Sequence, residues 1–358
     1  MRKIALMLAV SFSLVTSTTI AMASEKTHLL WTDSGIFRVH VANLTTSVVS
    51  LISPSSSFEL PGESAWDPKT NKLFIATRSK IVRMNLDGTG VVTVADTAFG
   101  FVARFFAIDP FARKLYWLEF GSVKRADMDG LNANIEILPM SAPAIGRLIV
   151  DTIRSKLYFL DAGGLKSANL DGINETVMLP RFVNFTVPGD PVLHRFKEFA
   201  AIAYDVKNNV FYGDGVEERL TSPSIHTRVG LVRYAPGDTV PTFLHNATWD
   251  SSTWVQAKSV AYDPNTNIIY YTPLAQIQDI KQFDIATGVF STRFVSQPTG
   301  ASGSMPSIVS LISTTDCLMD VNFDGSVGPG DLLFVLAGWG TPFGPSHLLD
   351  LLAQWGCQ

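Results

Sequence analysis

Ala107-Ile108-Asp109-Pro110, then Lys114-Leu115-Tyr116-Trp117-Leu118-Glu119, then Val123-Lys124-Arg125-Ala126-Asp127-Met128-Asp129-Gly130, then Ile135-Glu136-Ile137-Leu138 is the stretch on which the fold turns. Its short β-branched and aromatic runs, divided by Asp-Pro and Asp-Gly signals, specify four strands and three turns. The same order precedes it at Trp66-Asp67-Pro68, Leu73-Phe74-Ile75 and Ile81 to Gly88, and follows it at Val150-Asp151, Leu157 to Asp161 and Leu165 to Gly172. Asp67, Asp109 and Asp151 stand forty-two residues apart. A period of about forty to forty-five residues with no room for helices belongs to propeller blades. Looser copies follow at Ala203-Tyr204-Asp205 and Ala261-Tyr262-Asp263-Pro264. The first copy, Leu29-Leu30-Trp31-Thr32-Asp33, aligns with the second strand of a blade and lacks the strand before it. Ser307-Ile308-Val309-Ser310-Leu311-Ile312 has the apolar character to fill that gap, and such closure would remove two open sheet edges.

The end of the chain reads differently. In Asp320-Val-Asn322-Phe-Asp324-Gly325-Ser326-Val327-Gly328-Pro-Gly330-Asp331, oxygen side chains fall at positions one, three, five and twelve, with glycine at six where a calcium loop must turn. Asp320, Asn322, Asp324 and Asp331 would supply side-chain oxygens and Ser326 its carbonyl, predicting one bound Ca2+. A second helix, Leu348 to Gly356, echoes Leu332 to Gly340, but Thr341 to His347 carries no Asp or Asn, so a second ion is not expected. The only cysteines, Cys317 and Cys357, bracket this module. Pairing them would close a loop of about forty residues, worth roughly 3 to 4 kcal/mol on a chain-entropy estimate.

Two family resemblances follow from these residues. Leu30-Trp31-Thr32-Asp33, Tyr116-Trp117-Leu118-Glu119 and Tyr158-Phe159-Leu160-Asp161 resemble the YWTD repeat of six-bladed propellers in low-density-lipoprotein-receptor-like proteins. In that family the repeated Tyr, Trp and Asp residues are structural, so the resemblance implies no ligand contacts for them. The tail resembles a dockerin type I repeat, which has Asp at position twelve and no entering helix. That likeness implies a cohesin-like or cell-surface docking partner, although the helix-surface residues of cohesin recognition are not matched here. The expected architecture is all-β: a signal peptide at 1–23, a six-bladed propeller at 24–314, and a small α-helical calcium-loop module at 315–358.

Arg2 and Lys3, an apolar run from Ile4 to Val15, and Ala21-Met22-Ala23 predict the leader and hence a secreted, extracellular or periplasmic location. An uncleaved anchor is the other reading, for which the run is short. No later segment has eighteen consecutive apolar residues, so the mature chain should lack a transmembrane span. A formal charge of -4 with 17% charged residues gives no basic field for nucleic acid.

Function is expected where the period breaks. Asp151 to Asp205 spans fifty-four residues and Asp205 to Asp263 fifty-eight, so inserts emerge at Phe182 to Phe199, Gly215 to Gly230 and Asn246 to Lys258. They carry His194, Arg195, His226, Arg228, Trp249 and Trp254, candidate contacts for an extracellular protein or glycan, because binding residues concentrate on loops over rigid scaffolds. A non-enzymatic binding protein is the expectation. The alternative is a propeller hydrolase or lactonase with a channel metal, for which Glu63, Asp151 and Asp205 are the carboxylates; no nucleophile motif supports it.

Overall fold

The computed structural model describes residues 27–33, 38–52, 62–97, 105–140, 147–197, 199, 201–221, 223, 225–245, 257–273, 279–295, 306–313, 319–321, 326–340 and 343–357. The leader, Cys317, Asn322, Asp324, Trp249 and Trp254 lie outside these residues.

Among the described residues the strands form six antiparallel sheets, the blades of a six-bladed β-propeller. Blade 2 is typical: Ser64–Asp67, Lys72–Ala76, Lys80–Met84 and Val92–Asp96 pair in chain order. Blade 1 is completed from both ends of the chain. Pro306–Ser313 supplies its inner strand and pairs antiparallel with Thr27–Asp33, setting Leu30 opposite Ser310 and Trp31 opposite Val309. The missing first strand is thus filled by the segment the sequence nominated.

The apolar second strands explain how the blades cohere. Side chains alternate across a strand, so a strand clamped between two neighbouring blades must be apolar on both sides. Leu73 and Ile75 face blade 1 while Phe74 and Ala76 face blade 3; Leu115 and Trp117 face blade 2 while Tyr116 faces blade 4. Six such clusters, one at each seam, run round the ring, the last joining Leu29, Trp31 and Ala42 of blade 1 to Ala261, Tyr270, Ile280 and Phe294 of blade 6.

The repeated Asp is a turn residue. Asp67, Asp109, Asp151, Asp205 and Asp263 end their inner strands, are at most 2% exposed, and accept backbone N–H groups two or three residues ahead, as in Asp109 Oδ1 with Phe111 (3.0 Å) and Ala112 (2.8 Å). Four residues past each Asp the backbone takes the left-handed conformation, at Asn71, Arg113, Ser155, Asn209 and Asn267. A buried carboxylate therefore satisfies the tight turn from inner to second strand five times over.

The tail folds as two helices, α1 (Pro329–Ala337) and α2 (Pro345–Ala353), related by an offset of sixteen residues. Val335 and Leu351 are the buried counterparts within them; Val327 and Phe343 are those before them. Gly356 N–H donates to the Val327 carbonyl (2.8 Å) and Gly340 N–H to that of Phe343 (2.7 Å), so each half latches the end of the other. The tail does not stand clear of the ring. Its cluster of Met319, Val321, Val327, Val335, Phe343 and Leu351 packs against Phe111 and Ile153 at the Asp turns of blades 3 and 4. Lys69 of blade 2 reaches Asp350 at 2.8 Å. No helix among the described residues is long and apolar enough to cross a membrane.

Candidate functional site

Blade 5 departs from the repeat in a specific way. Its second and third strands, Val210–Arg219 and Ile225–Tyr234, run ten residues each, about twice the length their neighbours need. The lower part, Val210 to Gly213, pairs with the inner strand Ile202–Asp205 as in any blade. The upper part, Val216 to Arg219, pairs instead with Leu193–Lys197, itself the second strand of a hairpin begun by Phe182–Thr186. The first two inserts thus build an overhang rising beyond the end of the ring where inner strands begin, opposite the tail. Gly213 and Gly215 mark the crossover: a Cβ at Gly213 would stand 2.4 Å from the Phe199 ring, and one at Gly215 2.4 Å from Phe196. This Gly-Asp-Gly in a strand was a legible signal of close approach. Asp214 between them is buried and accepts N–H groups from Ala201 (3.0 Å) and Ala257 (3.3 Å), tying the base of the overhang to blade 6.

Strand alternation sorts the overhang into two faces. The inward face carries Phe196, His194, Glu217, Arg219 and Arg228. His194 is 5% exposed, with Nδ1 2.8 Å from Glu217 Oε1 and Nε2 3.0 Å from Asp190 Oδ2. Asp190 also accepts from Arg219 (2.8 Å) and the Val192 N–H (2.9 Å), and these donors with His194 hold it well below the usual carboxylate range. Arg228 lies over the Phe243 ring at 4.3 Å and 3.7 Å from Glu217.

The outward face carries Phe182, Asn184, Arg195, Lys197, Glu218 and His226. Glu218 is 4% exposed and meets Arg195 (2.5 Å), His226 (3.0 Å) and Lys197 (3.6 Å). Burial pushes its carboxyl up, but Arg195, with Lys197 and His226, outweighs that and holds it low. Arg195 also sits 5.0 Å from the centre of the Phe182 ring, with Arg181 at 5.4 Å, and Phe182 is 47% exposed. Of the candidate contacts, the structure therefore gathers four on one sheet. Arg195 and His226 stand on its solvent side, and His194 and Arg228 hold its inner side. Asp190 and Phe182 are the additions. Asp190 was signalled only by the Val187-Pro-Gly-Asp-Pro191 turn, and nothing in the sequence placed Phe182 beside two arginines.

The carboxylates of the channel reading are separated. Asp151 and Asp205 are occupied at the turn end of their inner strands, whereas Glu63 precedes the start of one. Glu63 is paired with Arg147 at 2.9 Å and accepts the Phe106 N–H at 3.2 Å, while Arg147 reaches Ser259 of blade 6 at 3.2 Å. Burial raises the Glu63 carboxyl to about 7 against the pull of Arg147. Among the described residues no three His, Cys, Asp or Glu side chains are arranged to hold a metal ion.

In the tail, Asp320, Ser326 and Asp331 of the loop are described. Asp331 at position twelve is fully buried and accepts the Gly328 N–H at 2.8 Å, capping α1. Its counterpart in the second half is His347, whose Nδ1 accepts the Gly344 N–H at 3.2 Å. An imidazole replaces the carboxylate that a cation would need there. The described donors of the first half are all oxygens, which suits a hard cation. Cys357 packs against the tail cluster, and its carbonyl accepts the Val327 N–H at 2.9 Å.

No protein-family profile and no curated protein sequence matches the chain. Solved structures do. A chain of a nidogen–laminin complex is similar over 80% of this chain and 99% of its own, at 15% identity and a TM-score of 0.57. TolB from Acinetobacter baumannii is similar over 80% of this chain and 66% of its own, at 9% identity and a TM-score of 0.57. At such identities the likeness establishes the propeller fold alone.

Proposed function

We propose that the chain is a secreted, non-enzymatic binding protein whose blade 5 overhang grips an extracellular protein or glycan, and whose dockerin-like tail docks it to a partner or surface. The observation that carries this is the half-exposed Phe182 flanked by Arg181 and Arg195. Exposed aromatic and guanidinium groups fixed on a rigid sheet have the composition of binding hot spots and lose little entropy when a partner arrives. Arg195, Lys197 and His226 surround a single Glu218 on that side, with Arg181 beside the Phe182 ring, which favours a partner rich in carboxylates, whether an acidic peptide or an acidic glycan. The inner His194, Asp190 and Glu217 network serves to hold the sheet upright. YWTD-type seams account for the ring beneath it.

The tail reading supposes one Ca2+ held by Asp320, Asn322, Asp324, Ser326 and Asp331, and a Cys317–Cys357 bond closing the module. Both suit a unit too small to be stabilised by its own core. The test is capture of envelope components by the full mature chain, compared with Phe182→Ala combined with Arg195→Ala. Equal capture by both would remove the overhang as the binding site. Chelation should lower the unfolding temperature of wild type and leave that of Asp331→Ala unchanged; an unmoved wild type would exclude the metal.

A further inference from the structure

The two tail helices are apolar on more sides than their seat can use. Val335 and Leu351 face the tail core, yet Leu333 is 68% exposed, Phe334 41%, Leu336 48% and Trp339 46%, and their counterparts Leu349, Leu352 and Trp355 are 68%, 53% and 46% exposed. A helix that is apolar all round belongs in an interior. No charged side chain occurs from Leu332 to Gly340 or from Leu351 to Gln358, and Asp350 turns toward Lys69 on the ring. Seven large apolar side chains on two nine-residue helices and the turns that follow them are thus 41 to 68% exposed, a concentration that the surfaces of monomers seldom carry.

We infer that the outward faces of α1 and α2 pair with the same faces of a second copy of this chain, making a four-helix contact between two propellers. This rests on the reading of the tail as a docking element and names its partner. Three observations favour a second copy over another protein. The face is free of charge, so it carries no polarity that only a different surface could complement. It is built from two equivalent halves at an offset of sixteen residues, which suits an isologous contact in which each element meets its equivalent. It repeats the same exposed pair in both halves, Leu333 and Leu336 in α1 and Leu349 and Leu352 in α2, so that two copies would bring apolar side chains against apolar side chains throughout the contact. The contact also fits the rest of the architecture: the tail sits at the turn end of the ring and the blade 5 overhang at the other, so pairing through tails points both overhangs away from the join. Two weak sites would then act together on a multivalent partner.

Sedimentation of the mature full-length chain across about 1 to 50 µM tests this. Wild type is expected at twice the chain mass, and Leu333→Asp combined with Leu349→Asp at the single mass with unchanged circular dichroism. A milder variant, Leu336→Ala with Leu352→Ala, should raise the dissociation constant at least tenfold and keeps the test valid if the aspartates disturb folding. A monomeric wild type overturns the pairing, as does a dimer indifferent to all four substitutions, or a monomer that floats with phosphatidylcholine vesicles. The docking reading has a separate readout: a monomeric wild type whose retention on the native envelope is lost in the Leu333→Asp, Leu349→Asp variant keeps docking and removes only the dimer.

Discussion

The two ends of the ring use the same residue types for opposite purposes. At the turn end, Asp67, Asp109, Asp151, Asp205 and Asp263 are buried one to a blade, each accepting backbone N–H groups of its own turn, with Arg113 and Tyr204 of the following blade also reaching Asp67 (2.6 Å) and Asp151 (2.7 Å), and the tail rests on the surface they make. At the other end, Glu217 and Glu218 are buried and Asp190 partly so, in company, each meeting two or more basic side chains on a sheet that only one blade possesses. Repetition marks what the fold requires of every blade. Interruption of the repeat marks what one blade adds, and the added charge is neutralised across strands rather than within a turn.

The sharpest way to break this contrast is to compare a seam with the overhang. Trp117 is fully buried between blades 2 and 3, and its Nε1 donates to Glu119 at 2.9 Å. Trp117→Ala should cost about 3 to 5 kcal/mol in denaturant unfolding of the whole ring. Phe182→Ala should stay within about 1 kcal/mol. If Phe182 costs as much as Trp117, the overhang is part of the core and not an added platform.

Glu217→Ala ranks next. It strips a buried partner from His194 and a carboxylate from Arg228 and Thr227, which keep only the carbonyls of His245 and of residue 217, a change of about 3 kcal/mol for a broken buried ion pair. Its effect should be local: hydrogen exchange should speed up at Leu193–Lys197 and not at Lys114–Glu119. Uniform acceleration would show that the overhang and ring unfold as one unit.

The pH dependence separates two further groups. Glu63 has its carboxyl raised to about 7 by burial, so it binds protons in the folded state where the unfolded chain has lost them. Its contribution is therefore full below about pH 4.5 and falls as pH rises through 7, by up to about 3 kcal/mol. His245 in the last strand region of blade 5 runs the other way. Burial, and then the nearby Arg228, lower its imidazole to about 4, and its Nε2 accepts the Leu231 N–H at 3.0 Å. Its contribution is full above 6.5 and is lost as pH falls toward 4. Between those limits the two trends oppose each other in wild type. Glu63→Gln should remove the opposing trend, giving stability that rises with pH across 4 to 6.5 through His245 and, in the same sense, His347, whose imidazole burial also lowers; a flat profile in that variant would contradict the assignment.

The propeller was legible because its cause is periodic. Second-strand residues such as Leu73 to Ala76 must be apolar on both sides, and the Asp turn recurs with a fixed step, so both leave a mark in the chain at every blade. The closing strand Pro306–Ser313 could be placed only because Thr27–Asp33 so plainly lacked a partner. The overhang was legible in position but not in form. The inserts announced extra length, whereas the swing of Val210–Arg219 from one partner strand to another depends on contacts between Phe196, Phe199 and two glycines that have no linear pattern. The seat of the tail was not legible at all: Lys69, Phe111, Ile153 and Asp350 are ordinary residues whose meeting is decided by which turns lie side by side round the ring.

That seat gives the smallest effect and the clearest test of what holds it. Lys69 and Asp350 remain partly exposed, and the bond between them spans solvent-accessible surface. Lys69→Ala should change stability by no more than about 1 kcal/mol at low ionic strength, and less as salt is added. Phe111 meets the His347 ring at 5.5 Å and packs with Ile153 against the tail cluster, so Phe111→Ala should loosen the tail more than loss of the ion pair does. Proteolysis near residues 314–318 in the two variants would rank them. Were Lys69→Ala the more easily cut, a single screened charge pair would be holding the tail, and the apolar seat would have to be abandoned as the reason why the tail lies against the turns while blade 5 rises free at the other end.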